Sequence, residues 1–494
     1  MNMKSNNSNS INTDLFPQDE EIFGFIKDLT QWSHRKTGTP EGLKSAEYIK
    51  NKFKEFGLEK ILTEHPQTTI YTPEKWNLIV QGEEIPSYFI NFVYRNEKTG
   101  TCDTGKDGIT TEIIYVGDGK EEDFDHVDVR GKIVCSDVKF MDTSVEDFLQ
   151  FGTGDCLAYD PRNTLGKGPV GKNVYTPKTF PFNYFNALKR GAVGFIGILD
   201  DYFDHCTYYN EDYTEHGYSY GFEYMTIPGL WISRSSGEKI KNMIKYTDKE
   251  VKANLQMKVT AKEGDSNIVS GILPGKSDDI ILVHSHHDAV FNGAVQDASG
   301  ISEVLALAKY FSMIPPEKRE KTLMFAAMDT HYTDYRGHLG FIENRKKNKD
   351  NIILDVVLEH IGKEVIIGKD GNPVITGEVE MRSIFVNENK ALLSIVKNAV
   401  IKNNLDRTLI LPVNAETEEV ISDACYFHRA GVPVISLLSG QTYVFDPMDT
   451  IEMIPIEQLR SVGIVFAEIV ENTSKLDVSV LTKYDVVDNI WLNQ

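Results

Sequence analysis

The sequence predicts an α/β protein, a three-layer α/β/α core around a mixed sheet, with an inserted β-rich domain. Three observations point there. From residue 266 onward, near-continuous apolar runs alternate with amphipathic segments. That is the rhythm of strands buried on both faces and of the helices that cover them. Between about residues 100 and 235 the texture changes to short β-like runs separated by many turn residues. Finally, 494 residues are too many for one ordinary core. The expected organisation is a disordered leader over 1–18, a core built from 19–99 and 236–494, and the insert over 100–235.

The elements follow in order. The start, MNMKSNNSNSINTDLFPQDE, has no apolar stretch of the signal-peptide kind and reads as a polar leader. Ile22, Phe23, Phe25, Ile26 and Leu29 suit one amphipathic helix. After the polar turn SHRKTGTPEG, the residues Ala46, Ile49, Phe53 and Phe56 have the spacing of a second, which Gly57 stops. TEIIYVG (111–117), GKIVCSDV (131–138) and AVGFIGILD (192–200) are the clearest strands of the insert. Residues 151–175 and 201–224 lack periodicity and read as long loops, the second rich in tyrosine. In the core, NIVSGIL, IILVHSH, TLMFAAMD, IILDVVLE and VPVISLL read as buried strands. Ile301–Phe311, Gly340–Arg345, Lys390–Asn403 and Asp423–Ala430 read as helices between them.

Composition narrows the function. A net charge of −21 argues against nucleic acid or an anionic membrane as partner, because the field of the whole molecule repels both. No run approaches the roughly 18 apolar residues of a membrane span. The five cysteines are scattered and without CxxC spacing, which fits reduced thiols and a cytoplasmic protein. Neither a phosphate-cradling glycine loop nor a GxSxG elbow is present.

The most informative stretch is HSHHDAVFNGAVQDASG (284–300), which follows the apolar run Ile280–Val283. With HRKTGTPEGLKSAEYIKNKFKEFGL (34–58), NIVSGILPGKSDDIILVHSHHDAV, ISDACYFHRAGVPVISL and YVFDPMDTIEMI, it resembles the zinc aminopeptidase and glutamate carboxypeptidase-like family. VRGKIVCSD and ALKRGAVGFIGI resemble a protease-associated domain inserted into that fold. The resemblance implies an aminopeptidase-like core and a site where two zinc ions, about 3.5–4 Å apart, clamp a water and a peptide carbonyl.

Carried over residue by residue, the resemblance gives a degenerate metal site. His286 takes the first ligand position, and Asp288 orients it from behind. Gln296 stands where the family has a metal-bridging aspartate, and a neutral amide cannot replace a carboxylate between two dications. Asp297 beside it compensates only if the loop shifts by a residue. In MDTHYTDYRGH (328–338), anchoring on Asp329 and Gly337 puts His331 at the general-base glutamate and Tyr332 at a ligand glutamate. Sliding by one residue gives Thr330 and His331, and neither register restores a carboxylate. Glu359 in LEHIG takes the ligand-aspartate position, and Phe445 falls where the closing histidine belongs, with Asp446 adjacent. His286 and Glu359 therefore remain competent ligands.

Five of the twelve histidines, His284, His286, His287, His331 and His360, cluster at strand ends expected to face this pocket. Imidazole titrates near neutrality and is the commonest general acid or base. The expected catalytic set is His331 as base with Glu359 or Asp446, Tyr332 as donor to an oxyanion, and His286. Asp288, Gln296, Asp297, His360, Asp423 and Asp446 line the substrate. Asp423 reads equally as a helix cap, and the cluster Glu416-Thr417-Glu418-Glu419 as a solvated helix start. The leading expectation is a hydrolase-like enzyme on a small-molecule or short peptide-like substrate, with no cofactor or one divalent metal, zinc first. A single-metal or binuclear metallopeptidase and a non-catalytic binding scaffold are the alternatives, and a homodimer fits insert-bearing relatives.

Overall fold

A computed structural model describes residues 11–483 except 97–99, 151, 153–155, 167–168, 212–223, 415–419 and 441. The acidic cluster at 416–419 and the tyrosines at 213, 218 and 220 lie outside the described residues.

Nine strands form a central mixed sheet. Their spatial order is Glu59–Glu64, Ile268–Leu273, Thr322–Met328, Ile280–His286, Ile352–Leu358, Val434–Ser439, Arg382–Asn387, Thr408–Val413 and Leu157–Tyr159. The run from Thr322–Met328 to Val434–Ser439 is parallel, and antiparallel neighbours flank it. Every residue of Ile280–His286 and Thr322–Met328 is buried, which is why both read as unbroken apolar runs.

Alternate side chains enter two separate apolar clusters. Ile281 and Val283 pack with the layer holding Asp19–Thr30, Gly300–Ser312 and Ile456–Ser474. Ile280 and Leu282 face the layer of Arg336–Asn348 and Cys425–Arg429. By that parity His284 and His286 lie on the second face. This is the expected three-layer core.

The N-terminal helices run over Asp19–Thr30 and Pro40–Glu55. The second starts as its sequence dictates: Thr39 Oγ1 accepts from the Gly42 N–H (3.1 Å), and Pro40 occupies the first turn. Gly57, at φ +77°, ends it. Residues 11–18, assigned to the leader, are ordered. Phe16 is buried against Tyr310 at 5.5 Å, and the Asn12 N–H donates to the Tyr310 hydroxyl at 3.2 Å.

The β-rich unit is larger than 100–235. Its sheet takes in Gln67–Val80, Ser87–Phe89 and Lys252–Asp265, along with Ile109–Tyr115, Ile133–Val138, Gly194–Leu199 and Gly229–Ser233. Gln67–Val80 and Lys252–Asp265 pair antiparallel over almost their whole length. Lys252–Asp265 alternates buried and solvent-facing residues, so it carries no continuous apolar run. Conversely, Leu157–Tyr159, inside a segment read as loop, closes the edge of the central sheet. None of the five cysteines forms a disulfide. No helix among the described residues is long and apolar enough to cross a membrane.

Candidate active site

The site lies where the parallel strands end, on the face of the short helix Cys425–Arg429. Strand parity brings His286 there, with His284 one step deeper. The His286 ring is fully buried, and its Nδ1 lies 2.9 Å from the Asp288 carbonyl oxygen. That bond places the proton on Nδ1 and leaves a lone pair on Nε2, which has no partner among the described residues. The Asp288 carboxylate accepts from the Tyr332 N–H (3.0 Å) and the Thr37 hydroxyl (3.4 Å). Burial works to raise its pKa, but the imidazoles of His286 and His331 and the Tyr332 N–H bring it down to about 2. His287 points elsewhere, held by the Ser45 hydroxyl at 2.7 Å and the Asn267 carbonyl at 2.9 Å.

The loop after His286 is braced from the first helical hairpin. The buried Arg35 guanidinium donates to the carbonyls of His287 (2.9 Å), Asn292 (2.7 Å) and Gly293 (2.5 Å). Asp449 accepts from the N–H groups of Val295 (2.6 Å) and Gln296 (3.0 Å). Its burial, against those bonds, lifts its carboxyl to about 7. Gln296 and Asp297 share a cis peptide bond and point apart. The Gln296 amide meets His331 Nε2 at 3.1 Å. Asp297 accepts from Ser285 Oγ and from the N–H groups of Gly300 (3.1 Å) and His360 (3.2 Å). It lies 4.0 Å from His286 Nε2, and the loop has not shifted to place it where Gln296 stands.

After the strand Thr322–Met328 the chain turns through Thr330, at φ +85°, and lays His331 over His286. The two rings are 4.0 Å apart and 8° from parallel. His331 Nδ1 contacts the Asp423 carboxylate at 2.9 Å. Burial alone would lower the pKa of this imidazole, but Asp423, and after it Glu211 and Asp288, raise it to about 10. At neutral pH His331 is therefore an imidazolium, a proton donor and not the base expected from its position. Tyr332 packs edge-on to His331, His286 and Tyr209, and its buried hydroxyl has no partner.

Glu359 ends its strand with Oε1 accepting from the Asp423 N–H at 3.0 Å. Burial, then the charges of Asp423 and Asp297, push its carboxyl well above the usual carboxylate range. Asp423 caps no helix, since its two oxygens go to His331 and His338. His360 reaches the Ser439 carbonyl at 2.8 Å and stacks on Tyr175; burial lowers it to about 3. Phe445 fills its position with a buried ring against Tyr175, Tyr208 and Tyr332. Asp446 is not part of the cluster: it turns to His205, 2.8 Å away, and its other oxygen accepts from Met448.

Several site residues had no signal in the sequence. His338 sits under Asp423, and Glu211 lies 3.9 Å from His331 Nε2. Lys36, half-buried, places its ammonium over the Tyr209 ring at 4.9 Å, and burial lowers it to about 8 against the pull of Asp288. These come from segments far apart in the chain, and only the fold collects them. Among the described residues, one group offers clustered metal donors, His286, His331 and Asp423, with ligand atoms within 4.8 Å of one another.

A mixed sheet between helical layers, with the candidate site at its parallel strand ends, defines an aminopeptidase-type α/β fold. Residues 267–470 match the model of peptidase family M28. The whole fold is similar to a zinc aminopeptidase from Bacillus subtilis, with 19% identity, 94% of this chain and 98% of that one covered, and a TM-score of 0.64. A peptidase M28 precursor from Shewanella amazonensis gives 17% identity, coverage of 93% and 97%, and a TM-score of 0.65. An aminopeptidase from Aneurinibacillus gives 20%, 93% and 94%, and 0.58. No curated protein matches the sequence significantly.

Proposed function

We propose that this protein is a hydrolase on a small, polar, peptide-like substrate, working by histidine acid–base chemistry without a two-zinc centre. The observation that carries this reading is the His331 imidazolium. It is bonded to Asp423 and stacked on a His286 whose Nε2 lone pair has no partner among the described residues. His331 supplies a proton to a leaving group. His286 Nε2 accepts one from water, and the unpartnered Tyr332 hydroxyl donates to a developing oxyanion. Lys36, whose ammonium lies over the Tyr209 ring, offers a cation to the substrate's polar end.

The residues present do not fit two zinc ions. Phe445 has no donor atom and Gln296 brings no charge. The Glu359 carboxyl is biased towards its neutral form by burial, and one oxygen already accepts the Asp423 N–H. The parallel stack of His286 and His331 would have to open for both rings to turn their in-plane lone pairs onto one ion. A second reading, one divalent metal, is favoured by the clustering of His286, His331 and Asp423. It requires His331 and Asp423 to give up their mutual bond.

The test is a panel of aminoacyl amides, short peptides and N-acyl amino acids assayed with and without chelator, beside metal analysis of the purified protein. Turnover indifferent to chelator, falling about 10²–10⁴-fold in a folded His331→Ala variant, is the expected result. Wild-type activity in that variant overturns the reading. One bound metal with chelator-sensitive turnover decides for the second.

A further inference from the structure

Asp423 is shared. Its Oδ1 lies 2.9 Å from His331 Nδ1, and its Oδ2 lies 2.9 Å from His338 Nε2. All three side chains are buried. They come from three places: the turn after Thr322–Met328, the first turn of the helix Arg336–Asn348, and the residue two before Cys425–Arg429. A carboxylate accepts only, so both imidazoles present N–H to it. With one oxygen bonded, a carboxylate still pivots about its terminal torsion, which is broad and two-fold. With both bonded it has one orientation.

His338 is itself boxed in. Its ring packs between Tyr426 (5.4 Å), Tyr335 (5.8 Å) and His284 (6.5 Å). Its outer nitrogen, Nδ1, is buried without a partner, and beneath it Asp355 pairs with His284 at 3.1 Å. A fully buried imidazole and carboxylate are costly unless their bonds are made, so their retention under an active site asks for a reason.

We propose that His338 is a positioning residue that acts through Asp423, holding the carboxylate so that it fixes the plane of His331 and keeps a proton on its Nδ1. The unit is an imidazole–carboxylate–imidazole triad of which His331 alone faces substrate. The inference rests on His331 being the working group, as proposed above.

The test separates the two. Gln places an amide N–H where imidazole Nε2 stands, whereas Asn is too short to reach Asp423. In the ¹⁵N-labelled full chain, the His331 Nδ1–H proton should appear as a slowly exchanging low-field resonance, assigned by its loss in His331→Gln. His338→Gln should keep it and His338→Asn should shift or lose it. An unchanged His331 resonance in His338→Asn overturns the proposal. Should that variant fail to fold, His338→Gln decides alone, and loss of the signal there overturns it. On whichever substrate the panel identifies, His338→Asn should lower kcat about 10- to 100-fold with KM little changed, and His338→Gln should recover most of it. If His331→Ala keeps full turnover, the reading of His331 falls, while the spectrum still decides whether His338 positions it.

Discussion

The imidazoles of His286 and His331 lie face to face, 4.0 Å apart and 8° from parallel. The His331 ring is clamped by Asp423, and its charge is sustained by that carboxylate. The consequence is measurable without a substrate. The folded pKa of His331, about 10, lies above its ordinary 6.5. Its stabilisation is therefore complete below pH 6.5 and is lost as pH rises through 10. Asp423 is shifted the other way, well below 3.8, and its contribution is lost only in acid. The Tm difference between wild type and His331→Leu should be largest near pH 5–6 and shrink steadily towards pH 10. A difference independent of pH refutes the imidazolium.

Metal removal makes a second check. A tightly bound ion stabilises the folded state by RT ln(1 + [L]/Kd), about 4 kcal/mol at a thousand-fold excess over Kd. Without a two-zinc centre, exhaustive dialysis against chelator should move Tm by less than about 2 °C. A fall of many degrees, reversed by stoichiometric zinc, would show that the site holds metal despite Gln296, Tyr332 and Phe445.

How much of this was legible beforehand depends on the kind of signal. The central strands announced themselves because burial on both faces favours apolar residues, as in the run Ile280–Val283 that opens Ile280–His286. Lys252–Asp265 did not, because every second residue faces solvent. In the site, His286, Gln296, His331, Tyr332 and Glu359, each read from a contiguous motif, come together in the fold. Asp446 was misplaced because adjacency in sequence says nothing about direction, and its carboxylate turned to His205. The sense of His331 was also missed. Position suggested a base, whereas the neighbouring carboxylates that make it an acid come from residues 211, 288 and 423.

Arg35 illustrates a residue whose role only contacts reveal. Its guanidinium satisfies three loop carbonyls at once and faces Asp449, Asp297 and Asp288. Arg35→Met should cost about 3–5 kcal/mol, because it orphans those carbonyls and removes a buried counter-charge. Arg35→Lys should fall between, since an ammonium cannot span the fork. Denaturant unfolding at neutral pH measures both. Equal stability of all three proteins would show that the loop does not depend on this brace.

Glu303 provides the sharpest test of the helical layer. It is fully buried on Gly300–Ser312, and neither carboxylate oxygen has a hydrogen-bond partner among the described residues. A side chain added at Gly463 of the helix Ile456–Ser474 would meet its Oε2 at 2.5 Å, so the two helices close directly over it. Burial, reinforced by Asp19, holds its pKa well above 4.5. The unfolded chain releases this proton from about pH 4.5 upward while the folded chain retains it, so stability drains away as pH rises. The loss approaches about 1.4 kcal/mol per pH unit until the folded group ionises. Glu303→Gln keeps the shape and cannot ionise. It should match wild type near pH 4 and exceed it progressively from pH 5 to pH 8, read as a widening Tm gap. A gap that stays constant over that range would mean that Glu303 is ionised in the folded protein and has a counter-charge.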